Sequence, residues 1–156
     1  WAEKNGVRLL FIEDVFENTT AMDLNSDTFK AALYDNDITP SQTAASASTA
    51  FNAGQWATAG NEVADGAEWA TGGVALSSVT STFSSNVYTF DAADTVSTGS
   101  SATLANVYGC LVYDDTITTP VADQGVCYNY FGGANSVTDG TFTIAWSASG
   151  IFAITA

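Results

Sequence analysis

Apolar and polar residues alternate through most of the second half of this chain. After Gly72-Gly73 come GVALSSV, NVYTF, ATLANVYGCLVY, GVCYNYF, TFTIAW and GIFAITA, rich in Val, Thr, Tyr and Phe. That period and composition suit half-buried strands. The segments between them carry turn residues at Asp91 to Asp94, Ser97 to Ser101, Gly132-Gly133 and Asp139-Gly140. Upstream, FKAALYD (29–35) sets Phe29, Ala31 and Leu33 against Lys30, Ala32 and Tyr34, another strand pattern, and DNDITPS follows as a loop. Pro40 and Pro120 fall outside the strand cores, as ladder hydrogen bonding requires. The predicted fold is all-β, an antiparallel β-sandwich or jelly roll over residues 29–156.

Two stretches depart from the alternation. In residues 1–28, Val7, Leu10, Phe11 and Val15 follow helical spacing, while Leu9 and Ile12 also suit an extended run. This is an N-terminal arm or short helix. Its apolar residues Leu9, Leu10, Phe11 and Phe16 are candidate anchors to a neighbouring subunit; its plainer role is to cover one end of the sandwich. Residues 41–72 are rich in Ala, Ser, Thr and Gly and show no period of two. They read as a long excursion, with a short helix as an alternative for TAASASTAF. Excursions of that length usually serve a function or an interface. Trp56 and Trp69 lie here, and each is either a core residue or an exposed platform for a partner or a sugar ring. Trp146, in TFTIAW, is expected to pack in the core or on a strand face.

Composition narrows the function. The chain of 156 residues is 46% hydrophobic and 13% charged, too apolar for a disordered chain and suited to one domain. Its longest apolar run, Leu9 to Ile12, is far short of the roughly 20 residues that span a bilayer. Seventeen acidic residues face three basic ones, Lys4, Arg8 and Lys30, for a net charge of −14. From Ala31 onward there is no Lys, Arg or His. Such a surface repels nucleic-acid phosphates and anionic membranes, so neither is expected as a partner. The charge serves solubility first. Trp1 in place of Met points to proteolytic processing or to a piece of a longer chain. The Asn18-Thr19-Thr20 sequon is given no role.

Candidate chemistry is sparse. The absence of His excludes imidazole-based acid–base and nucleophilic schemes. A two-carboxylate glycosidase has Glu62, Glu68, Asp91 and Asp94 to draw on, with few cations to tune their acidity; a non-enzymatic protein is expected. Asp35 and Asp37, Asp91 and Asp94, and Asp114-Asp115 offer oxygen ligands for Ca²⁺. None completes a calcium-loop spacing, and Asx-turn capping is the simpler role. No cofactor is expected, with Ca²⁺ as the one alternative. Cys110 and Cys127 match neither a metal site nor a redox pair. Free buried thiols are expected, a disulfide requiring their strands to be neighbours in register.

Five segments in order carry a resemblance: DTFKAALYDNDITP, GNEVADGAEWATGGVALSSV, VYTFDAADTV, ANVYGCLVYDD and TFTIAWSASGIFAITA. Together they resemble a family of small β-sandwich structural proteins encoded among the head and tail genes of tailed bacteriophages. That family's pattern is a "FKxALY" strand, a "NEVxGxGYxxGG" turn, an "xxGxLIY" strand and a "GTFTVxWxxxGI" hairpin. The match runs from residue 27 to 156. The chain departs from it at Ala64 to Trp69 and in an Ala/Ser-rich insertion before Asn61. The resemblance implies a virion component at the particle surface, a capsid decoration or minor capsid protein. Its partners would be the major capsid protein or other virion subunits, and copies of itself, with trimers frequent in such assemblies. Two alternatives stand beside it: a tail- or fibre-associated protein binding a receptor or glycan, and a secreted cell-surface adhesive subunit.

Overall fold

The computed structural model describes residues 6–7 and 21–155. Eleven strands lie among the described residues: β1 Gly6–Val7, β2 Phe29–Tyr34, β3 Glu62–Val63, β4 Val74–Ala75, β5 Thr80–Ser84, β6 Val87–Asp91, β7 Thr95–Val96, β8 Ala102–Asp114, β9 Gly125–Gly140, β10 Thr143–Ile144 and β11 Phe152–Thr155. All pair antiparallel. The fold is all-β, in a sandwich arrangement. No helix among the described residues is long and apolar enough to cross a membrane.

The main sheet runs β1-β9-β8-β2-β3, and β4 also pairs with β2. β2 lies at its heart because both of its faces are apolar. Phe29, Ala31 and Leu33 join one core, with Val107, Cys110 and Val112 of β8. Ala32 and Tyr34 join a second, with Leu111, Tyr113 and Tyr128. Successive strand residues point to opposite faces, so one short alternating segment supports two layers.

Smaller sheets cover the first face. Phe90 of β6 and Phe152 of β11 come from the β11-β6-β5 sheet. Their rings are 5.3 Å apart, and Phe90 meets Phe29 edge-on at 5.1 Å. Phe142 and Ile144 come from the β10-β7 pair and the residue before it. The second face is covered by the irregular stretch, through Ile38, Trp56 and the partly buried Phe51. The helix entertained for TAASASTAF is only a single 3₁₀ turn, Ser46–Ser48; another, Gly54–Trp56, follows.

Several segments differ from the sequence reading. GVALSSV contributes only β4, and TFTIAW only β10. Residues 80–84, not expected as a strand, form β5, joined to β6 by a two-residue hairpin at Ser85-Asn86, both with positive φ. Gly132-Gly133 is not a turn. Val107 pairs with Asn135 and Gly109 with Tyr130, so two steps along β8 span five along β9. The surplus is a bulge that carries Gly132 at φ 86°. Of the arm or short helix expected over residues 1–28, Gly6–Val7 adds a strand to β9 opposite Tyr128 and Cys127, residues 21–28 are turns and irregular backbone, and residues 8–20 lie outside the described residues. Cys110 and Cys127 are buried free thiols on adjacent strands.

Candidate functional site

Of the residues expected at a partner interface, Leu9, Leu10, Phe11 and Phe16 lie outside the described residues. Trp56 and Trp69 are corrected: both are fully buried and present no surface to a partner or a sugar. The Gly54–Trp56 turn drops Trp56 between Tyr34 and Tyr128, with ring centroids 5.0 and 5.4 Å away. Tyr34 then donates its hydroxyl to the Trp56 carbonyl at 2.8 Å. Asp65 organises the turn that seats Trp69. Its Oδ1 accepts the backbone N–H groups of Ala67, Glu68 and Trp69, and its Oδ2 that of Thr103. Burial raises the Asp65 pKa, but these bonds together outweigh it and hold the carboxyl below its usual range. The Trp69 indole N–H donates to the Ala31 carbonyl at 3.2 Å, and its ring meets Phe142 edge-on.

The acidic groups considered as Ca²⁺ ligands serve turns and neighbours. Asp35 accepts the Asp37 N–H at 2.9 Å, Asp91 accepts the Ala92 N–H, and Asp94 accepts the Trp146 N–H at 3.0 Å. Asp115 pairs with Lys30 at 2.8 Å. Asp114 is fully buried: its Oδ1 accepts from Thr116 and Ile117, while its Oδ2 has no donor. Burial first, and the neighbouring Asp27 carboxylate, raise the Asp114 pKa to about 6. Among the described residues, no group of three or more His, Cys, Asp or Glu side chains is placed to hold a metal ion. Glu62 accepts the Gly72 N–H at 2.7 Å, and its burial raises its pKa despite that bond.

Two surface features stand out. The first is an apolar row. Phe83 pairs with Tyr88, and Tyr88 with Ile154, across β5, β6 and β11. Directly opposed residues share a face. This face is the inward one, because Phe90 and Phe152, two positions along, are buried in the core. The sheet therefore overhangs the body. Phe83 is 69% exposed and Ile154 44%. β5 is also an edge strand carrying neither charge nor Pro, the usual protections of an open edge.

The second is an open groove of about 330 Å³ between β9 and the segment from Phe142 to Ile151. Phe142, Ile144 and Ile151 line it as buried apolar residues, and Phe131 and Trp146 are half-buried at its sides. Trp146 is held at both ends, its backbone N–H by Asp94 and its indole N–H by Thr95 Oγ1 at 3.0 Å. Neither feature was visible in the pattern. A two-residue Ser85-Asn86 hairpin with Phe83 two positions before it is the signal that marks the row; nothing local distinguishes Trp146 from a core tryptophan. Comparison with protein-family models, with curated proteins and with solved structures finds no match to this chain.

Proposed function

We propose that this chain is a non-enzymatic structural subunit of an extracellular particle, acting by packing against neighbouring subunits, and that the particle is a tailed-phage virion. The observation that carries the packing role is the overhanging Phe83–Tyr88–Ile154 row. An inward sheet face that runs past its own core leaves apolar area in water, and a neighbouring subunit removes it. The row carries no charge in a chain of net charge −14, so contact made through it brings no carboxylate of the row against a like-charged neighbour. The ordered resemblance of residues 27 to 156 supports the virion assignment. A capsid decoration or minor capsid role suits an acidic outward surface better than a position lining packaged DNA.

Locating the chain in an electron-microscopy map of intact particles tests this. Hundreds of copies on the head, with Phe83 and Ile154 buried against a neighbour, is the expected result. A few to tens of copies on tail or fibre would shift the assignment to receptor binding. Both residues facing solvent would remove the role given to the row.

A further inference from the structure

We propose that the groove between β9 and residues 142–151 binds a neutral oligosaccharide. The inference stands on the groove alone and does not depend on where the subunit assembles.

Lining chemistry is the argument. None of the eleven described lining residues is charged, in a chain with seventeen acidic residues. An anionic ligand would meet a repulsive field with no counter-charge, and a cationic one would find no carboxylate among the lining groups. The apolar part is aromatic and fixed. Trp146 is locked by the Asp94 and Thr95 bonds, so little freedom is lost when a ligand lies against it. An indole face is electron-rich and takes the C–H face of a pyranose ring.

The polar part suits hydroxyls. Asn135 donates Nδ2 to the Val107 and Gly133 carbonyls, which orients the amide, and among the described residues its Oδ1 has no donor. Asn129 Nδ2 donates to Cys127 Sγ at 3.5 Å, and among the described residues its Oδ1 has no donor. Ser147 Oγ accepts from the Ser149 N–H, and its proton is available to donate. Fixed aromatic surface with neutral donors and acceptors along the lining is the make-up of a small-ligand site, and about 330 Å³ lies at the lower end of such sites.

The test is a printed array of neutral, sialylated and sulfated oligosaccharides probed with the labelled intact chain. The best ligand is then titrated by calorimetry and by tryptophan fluorescence. Binding confined to neutral glycans is expected. Trp146→Ala should weaken it at least tenfold and Trp146→Phe less. Because Trp146 also packs in the body, Ala145→Arg is the second variant. Ala145 is an exposed groove residue, so Arg there should block the ligand tenfold or more with the melting temperature unchanged. The proposal is overturned by no neutral glycan binding at millimolar concentration, by preference for acidic glycans or peptides, or by full affinity in Ala145→Arg.

Discussion

Gly73 carries a positive φ of 83°, and a side chain there would run into the backbone of Ala31 in β2. Strain and collision act together, so Gly73→Ala is expected to cost about 3 kcal/mol; chemical denaturation measures it, and a loss below about 1 kcal/mol would mean the β2–β4 approach relaxes freely. Asp114 gives a pH prediction. Its folded pKa, about 6, lies above the ordinary 3.8, so the native state holds the proton more tightly than the unfolded chain does. Stability from this group is full at low pH and falls as pH rises from about 4 to about 6, then levels off. Asp114→Asn keeps an acceptor for Thr116 and Ile117 and supplies a donor toward Asp27. It is expected to stabilise the protein at pH 7 by roughly 1–3 kcal/mol, with the gain vanishing near pH 4. Equal stabilities of the two proteins across that window would show that Asp114 is not the titrating group.

The strands are unequal in what secures them. β2 is paired on both edges and buried on both faces, and β8 is paired along much of its length. β5 is paired on one edge and mostly exposed. Amide exchange should therefore be slowest in β2 and the Gly109 to Val112 part of β8, and fastest in β5, since opening a strand releases only the contacts it makes. Protection in β5 matching β2 in a dilute sample would indicate that the edge is already covered, by a second copy of the chain. Elements of two residues, such as β4 and β10, form because the framework holds them; alone they have no stability.

Across the whole molecule, charge and the apolar row oppose each other. Self-repulsion at a net charge of −14 keeps copies apart, and salt weakens it, the Debye length falling from about 30 Å at 0.01 M to about 8 Å at 0.15 M. Raising salt over that range should promote reversible self-association, seen by sedimentation velocity. Phe83→Ser should abolish the association while changing stability by less than about 1 kcal/mol, because Phe83 is largely in water already. Association that is undiminished in Phe83→Ser would place the contact elsewhere.

Local pattern was enough for the all-β class and for β2, β6, β8, β11 and the first half of β9 in outline, because alternation and β-branched content are set residue by residue; the state of Cys110 and Cys127 depended on how β8 and β9 pair. It was not enough for the two tryptophans or for the surface features. Trp56 and Trp69 sit in stretches with no period, and only the assembled sheet, with Tyr34 and Ala31 in place, offers them cavities to fill. The bulge at Gly132-Gly133 looks like a turn until β8 is alongside. Whether Phe83 lies inside or out depends on where the body beneath β5 ends. Burial of an irregular segment is a sum over distant partners, and that sum exists only once the strands have paired.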